Sequence, residues 1–286
     1  MTTDEGKPLV SLGLFLHNEG RFIRESLASL QAQDYSNLEI VISDNCSTDD
    51  TGKICRRMCD GDPRVSYEQQ EQNIGAAANS IYVLKRANGK YFMWASGHDL
   101  WSPNLVSTCV AALEEHPDAA LAYASSSWID VDGQPSDKES GWYDTRGMDS
   151  IVRFFMAFWG NLHPVLGLIR TEFLRELPKI HACAGSDQII LAELALRGDF
   201  IHVMGASWSR REQRGKETHQ DKIKRYTGKD FGLTGSWLDR RLPLLRLPLE
   251  QSRAIYRSRL GFVEKLAMWI ALLPAFVVRY LAGRKL

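Results

Sequence analysis

Residues 10–51 read VSLGLFLHNEGRFIRESLASLQAQDYSNLEIVISDNCSTDDT. Val10–Leu16 is a short apolar run of the kind that fills a strand buried on both faces. In Arg21–Gln33 the residues Phe22, Ile23, Ser26, Leu27 and Leu30 fall on one helical face. Leu38–Ser43 is a second apolar strand, and Asp49–Cys59 a second helix with Ser47 or Thr48 as its cap. Strand, amphipathic helix and strand in this order make a βαβ unit, so the chain opens a parallel sheet covered by helices on both faces.

The same alternation continues outward. Val65–Glu68 reads as a strand, Ala76–Ala87 as a helix ending near Gly89, and Tyr91–Ala95 as a strand. A helix starts at Pro103 and runs to about His116, followed by a strand at Ala119–Ala124. After Ser125 the pattern becomes mixed α+β. It offers a strand at Trp128–Val131, a turn at Asp132-Gly133, an aromatic helix over Met148–Trp159 and a strand at Val165–Arg170. A helix over Gln188–Arg197 and a strand at Phe200–Val203 complete it. The expected class is α/β, with a mostly parallel Rossmann-like central sheet and flanking helices.

Toward the end, Leu266–Val278 is uncharged and strongly apolar between Lys265 and Arg279. A bilayer span needs about 20 apolar residues, and Pro274 interrupts this one. Two readings stand: a helix packed on the catalytic domain, or an interfacial helix whose Trp269, Tyr280, Arg279, Arg284 and Lys285 border a membrane surface.

The 286 residues, 44% hydrophobic and 24% charged, have the balance of an ordinary globular protein. Thirty-five basic and thirty-five acidic residues cancel, so no overall field points to nucleic acid. The five cysteines are odd in number and no secretory signal opens the chain, which argues against a disulfide framework and for the cytoplasmic side.

In an open α/β sheet, ligands bind beyond the carboxyl ends of the strands. Those ends carry His17-Asn18-Glu19, Ser43-Asp44-Asn45 and Ser96-Gly97-His98-Asp99, with Asn73-Ile74-Gly75 after the third strand. Neither a GxGxxG nor a GxxxxGK phosphate loop is present, so a nucleotide diphosphate would need a metal ion or basic side chains. His98-Asp99 is the candidate for Mn²⁺ or Mg²⁺; taken alone, such a pair also serves as a turn and helix cap.

Residues 10–51, the Asn73–Asn79 segment and the stretch YFMWASGHDLWSPN at 91–104 resemble, in order and spacing, the inverting family-2 glycosyltransferases of the GT-A fold. The resemblance implies a nucleotide-sugar half over 8–125, an acceptor half over 126–225, and a helical extension over 226–286. It implies that Phe15, Leu16, His17 and Glu19 bracket base and ribose, that Asp44 reads the base, and that Asn73 and Gly75 line the nucleotide-sugar loop. Gly97, His98 and Asp99 stand at the family's Asp-x-Asp metal motif, with only Asp99 retained as a carboxylate. Asp187, in Gly185-Ser186-Asp187-Gln188, matches the base that deprotonates the acceptor, with Ser186 where the family has Glu. Arg210, Arg211 and His219 match a mobile segment that closes over the diphosphate, and His219 is a further metal ligand. Asn79 reads as a helix-buttressing residue, and His163 as one that faces donor or acceptor.

The implied activity is transfer of a sugar, most often from a UDP-sugar, to a hydroxyl of a glycan or lipid-linked glycan. Two rivals stand beside it. One is a sugar nucleotidyltransferase, opposed by the absence of a basic Gly-rich loop after the first strand. The other is a degenerate nucleotide-sugar-binding scaffold, favoured by the missing Asp-x-Asp carboxylate.

Overall fold

A computed structural model describes residues 6–177, 185–213, 221, 224–225 and 245–282. Its described strands form one nine-stranded sheet in the order β3-β2-β1-β4-β8-β6-β9-β5, with β7 paired to β6. The strands are β1 (Val10–Leu16), β2 (Leu38–Asp44), β3 (Val65–Gln69), β4 (Tyr91–Ala95) and β5 (Leu100–Trp101). The others are β6 (Ala119–Ile129), β7 (Pro135–Glu139), β8 (Leu168–Arg170) and β9 (Asp199–Arg211). β3, β2, β1 and β4 are parallel, as the βαβ pattern predicts. β8 runs antiparallel to both β4 and β6, while β6 and β9 are again parallel.

Helices α1 (Ile23–Gln31), α2 (Thr51–Cys59), α3 (Ala76–Arg86) and α4 (Leu105–Glu115) cover the sheet. The face under α1, α2 and α4 buries Leu12, Leu14, Ile23, Leu27, Ile40 and Val106. The opposite face buries Val83, Phe92, Trp94, Leu121, Ile169 and Leu191. Helix α5 (Ser150–Trp159) starts where the Asp149 side chain accepts the N–H groups of Ile151 and Val152. Short α6 (Thr171–Arg175) follows β8, and α7 (Ser186–Ala195) follows Gly185, which has a left-handed φ of 91°.

In three places the strand bounds read from sequence differ from the structure by more than one residue, and β5 and β7 have no counterpart in that reading. The strand expected at Val165–Arg170 is only Leu168–Arg170, because His163–Leu166 closes a 3₁₀ turn. Pro164 has no N–H to give a ladder, and the Asn161 side chain takes the His163 N–H at 3.0 Å. The strand expected to end at Val203 runs on to Arg211, held between β6 and the two-residue β5. Trp128 and Ile129 belong to the end of one long β6, where alternate residues are exposed.

The C-terminal helices are α8 (Arg246–Arg257) and α9 (Phe262–Phe276). Phe154 and Phe158 of α5, Ala192 of α7, Leu247 and Ile255 of α8, and Met268, Leu272 and Phe276 of α9 form a third core cluster. Glu193, 2% exposed, accepts from Arg197, just past the end of its helix, at 2.6 Å and pairs with Arg257 of α8. One face of the C-terminal pair is thus packed on the domain, tied by charge to the helix that carries Asp187.

Candidate active site

A cleft of about 630 Å³ opens at the carboxyl ends of the parallel strands. The first turn after β1 builds one end of it. Asn18 takes a φ of 53°, a left-handed value that Asn tolerates. Its side-chain oxygen accepts the Thr48 N–H at 2.9 Å while its own N–H donates to Ser47 Oγ at 2.8 Å. This clamp sets His17 against Asn45, whose carbonyl lies 3.0 Å from His17 Nδ1. Asn45 donates to Asn73 Oδ1 at 2.9 Å and accepts the Ile74 N–H at 2.8 Å. Asn73 Oδ1 also takes the Gly75 N–H, shaping the loop before α3.

Phe15, Leu16, His17, Glu19, Asn45 and Asn73 line this end, with Ala76, Ala77, Ser80 and Trp94 beside them. Trp94 is oriented by its indole N–H, which donates to the Ser80 carbonyl at 3.0 Å. The result is an aromatic and amide-rich wall suited to a flat heterocycle. Asn79 also reaches the lining, but its amide is spent on Ser43, as a buttress would be.

Ser96, Gly97, His98 and Asp99 form the next corner. A Cβ on Gly97 would lie 2.7 Å from Leu16 Cδ2 and 2.8 Å from Glu19 Cγ, so only glycine lets β1 and this turn approach. Asp99 is 4% exposed; its oxygens accept the Arg211 backbone N–H at 2.9 Å and the Trp208 indole N–H at 3.1 Å. His98 Nδ1 lies 3.0 Å from Glu19 Oε1 and 2.8 Å from the Gln213 amide nitrogen. Donation from Nδ1–H to Glu19 would leave the Nε2 lone pair free, 3.8 Å from Asp99 Oδ1. Ser96 Oγ is buried without a hydrogen-bond partner among the described residues.

Ser186, Asp187 and Ile190 of α7 supply the facing wall, with Val165, Leu166 and Arg210. Asp187 sits in the first turn of α7, where the helix N-terminus favours a carboxylate. It is half-buried at the cleft surface yet has protein on most sides. Burial pushes its carboxyl above the usual 3.8, opposed by the Ser186 hydroxyl and the charges of Arg210 and Arg225.

Arg210 bridges the corners. Its guanidinium donates to His163 Nε2 at 2.6 Å and lies 4.4 Å from the centre of the Trp128 ring. His163 Nδ1 in turn faces Ser126 Oγ at 2.9 Å. Burial, and then the Arg210 charge, hold the imidazole down to about 4, so it is neutral near pH 7.

The model for the family described as glycosyl transferase family 2 matches residues 11–177. The chain belongs to glycosyl transferase family 2. The transferase is 30% identical over 151 residues to a putative teichuronic acid biosynthesis glycosyltransferase, TuaG, of Bacillus subtilis, covering 51% of this chain and 60% of TuaG. It is also 30% identical over 121 residues to WcaA of Escherichia coli, a putative colanic acid biosynthesis glycosyl transferase, covering 42% and 43%. The matches thus span less than two thirds of these curated relatives. Staphylococcus aureus TarS 1–349, solved with UDP-GlcNAc, superposes with a TM-score of 0.68 at 17% identity, over 95% of this chain and 73% of TarS. The Pyrobaculum calidifontis mannosyltransferase PcManGT, solved with GDP-Man and Mn²⁺, gives 0.58 at 17%, over 98% and 89%. At these identities the likeness is one of fold, and the fold is that of the GT-A transferases.

Of the site residues expected from sequence, Phe15, Leu16, His17, Glu19, Asn73 and Gly97 come together in the transferase cleft with His98, Asp99, Asp187 and Arg210. Three do not line it. Asp44 is fully buried, its oxygens taken by the Ser47 N–H at 2.9 Å and the Tyr67 hydroxyl at 2.8 Å. Gly75 serves the loop through its φ of 84°. Arg211 points to the other side of β9 from Arg210, because successive strand residues face opposite ways. There it donates to the His98 carbonyl at 3.0 Å and to Glu25 at 2.6 Å. His219 lies outside the described residues.

Lys224, Arg225 and Asp221 also line the cleft. The sequence shows the two cations only as members of a last third rich in Arg and Lys, which carries no signal for their place at the cleft. Ser96 was visible as part of its motif but without the isolation of its hydroxyl.

Proposed function

We propose that this transferase moves a sugar from a UDP-sugar to an acceptor hydroxyl of a free or lipid-linked glycan, with inversion at the anomeric carbon. The observation that carries the reading is the position of Asp187: a carboxylate at a helix N-terminus, facing the strand-end corner of the same cleft, with its basicity raised by burial. The His17–Asn45–Asn73 end suits the uracil and ribose. Arg210 faces the cleft as a cation beside the corner where a diphosphate would leave. Lys224 and Arg225 line the same cleft.

The acceptor oxygen attacks the anomeric carbon while Asp187 takes its proton. The bond from that carbon to the diphosphate oxygen breaks, and its electron pair leaves with the nucleotide. One displacement at one face inverts the configuration. Raised basicity matters here, because a carboxylate at 3.8 is a weak acceptor for a hydroxyl proton.

The family also uses a divalent cation, and Mn²⁺ accompanies GDP-Man in PcManGT. Among the described residues no group of three or more His, Cys, Asp or Glu side chains is disposed to hold a metal. His98 Nε2 and Asp99 nevertheless offer two donors, one nitrogen and one oxygen, and the Glu19 contact orients the imidazole as it does in many metal sites. These two would hold the ion, with phosphate oxygens and water completing its shell, and it would neutralise charge on the leaving diphosphate. Such a mixed pair suits Mn²⁺ better than Mg²⁺.

Calorimetric titration with UDP, GDP and dTDP, each with and without Mn²⁺, tests the donor reading. Tight binding of UDP alone is the expected result. Preference for another diphosphate would replace the donor, and no binding of any would overturn the reading.

A further inference from the structure

Among the described residues fourteen large hydrophobic side chains are exposed, and ten of them lie between residues 245 and 278. Phe262 and Val263 are 76% and 77% exposed, Ile270 and Leu273 68% and 66%. Phe262, Leu266, Ile270, Leu273 and Val277 follow one another at intervals of four, four, three and four, so they form a single stripe along α9 and its last turn. The opposite side of α9, through Met268, Leu272 and Phe276, is already spent on the third core cluster. Scattered exposed hydrophobics are ordinary, but a contiguous apolar stripe of this length marks a surface that something covers.

The charges around the stripe say what covers it. Residues 245–282 contain six basic side chains, Arg246, Arg253, Arg257, Arg259, Lys265 and Arg279, against Glu250 and Glu264. Six minus two leaves a net charge of +4. Glu264 is turned back onto the Gly261 N–H as a cap and Arg257 is paired with Glu193 of α7, while Arg253, paired with Glu250 at 2.7 Å, and Arg259 are exposed. A second copy of this face would bring like charge against like charge. Anionic phospholipid meets both requirements at once, with acyl chains for the stripe and phosphates for the cations. No described helix is long and apolar enough to cross a membrane, so α9 would lie in the interface plane.

We propose that α9, with the adjoining edge of α8, seats this transferase on the surface of an anionic lipid bilayer. The seat adjoins the catalytic wall. Leu247 of α8 lies 3.2 Å from where a Cβ on Gly185 would be, immediately before the helix that presents Asp187. A lipid-linked acceptor would then reach the cleft from the base side; that consequence rests on the proposed function, whereas bilayer attachment does not.

The test is co-sedimentation of the full chain with phosphatidylcholine vesicles, with and without phosphatidylglycerol, at low and high salt. Phosphatidylglycerol is expected to raise partitioning by about 10-fold or more, and salt to reverse most of that gain. The Ile270→Glu/Leu273→Glu double variant is expected to lose about 10-fold or more in partitioning, with circular dichroism and UDP binding unchanged. Should that variant misfold, Phe262→Asp at the first turn of α9 gives the same reading, since an acid there favours the helix. Equal partitioning of native chain and folded variant, or no partitioning into anionic vesicles, would overturn the proposal. So would a native dimer that the substitutions dissolve, which would give the stripe to a second copy. UDP binding, measured separately, reports on the cleft and not on the stripe.

Discussion

Arg210, on the cleft wall, donates to Nε2 of His163 behind it at 2.6 Å. The contact requires a bare Nε2, and burial, then the Arg210 charge, hold the imidazole down to about 4. Protonation would place two cations against each other in a desolvated corner.

Nuclear magnetic resonance titration should therefore find His163 uncharged at pH 5 and above. Its folded value lies below the ordinary 6.5, so the unfolded chain binds the proton first as pH falls. His163 thus adds stability that is present above about 6.5 and is lost as the pH drops toward about 4. A denaturation midpoint measured across that window should fall less in His163→Gln than in the native chain.

The neighbouring arginines should separate cleanly. Arg210→Ala is expected to weaken diphosphate binding and to raise the His163 value, with little change in stability. Arg211→Ala should instead lower stability by about 1–3 kcal/mol, because the carbonyls of His98, Asp130 and Val131 lose a buried donor. Chemical denaturation and UDP titration of the two variants decide this; equal effects on both quantities would merge their roles.

Asp187→Asn should keep UDP affinity and reduce turnover by about 10²–10⁴-fold. In the native chain kcat/KM should fall on the acid side at a pH above the 3.8 of an ordinary Asp, since burial raises this carboxyl and only its charged form accepts the proton. Steady-state rates across pH provide the check. Turnover close to native in the variant would remove the base assignment.

Ser96→Ala should weaken UDP-sugar binding by about 2–10-fold while leaving the unfolding midpoint in place, because the hydroxyl has no partner to lose among the described residues. A fall in stability with unchanged binding would show that the hydroxyl serves the fold.

His98→Asp should shift metal preference toward Mg²⁺, by exchanging a nitrogen donor for a second carboxylate. Calorimetry of UDP with each ion would reveal it. Identical responses in both proteins would place the ion away from this residue.

Much of this architecture was legible because its signal is local. The apolar runs at Val10–Leu16 and Leu38–Ser43 and the helical face through Leu27 and Leu30 suffice for the βαβ opening. The strand ends then follow, and with them most of the cleft lining. What escaped depends on distant partners. Arg210 and Arg211 read in sequence as part of a mobile segment over the diphosphate, yet β6 and β5 flank the end of β9 and make it an interior strand whose side chains alternate between cleft and core. Asp44 sits where a base-reading carboxylate is expected, but Tyr67, on the adjacent β3, closes it off. Leu266–Val278 is apolar on every side, so its periodicity could not say which face is packed and which is bare.

The sheet also has a narrow waist. β8 is three residues long and joins β4 to β6 through only Leu168, Ile169 and Arg170. Arg170 fastens it by donating to the carbonyls of Leu113, His116 and Ala119 and to the Tyr91 hydroxyl. Anyone recombining segments of related sugar transferases would find the natural splice at this waist. The parallel block of β1 to β4 could be exchanged as a cassette, provided the incoming partner brings a tyrosine where Tyr91 stands to receive that arginine.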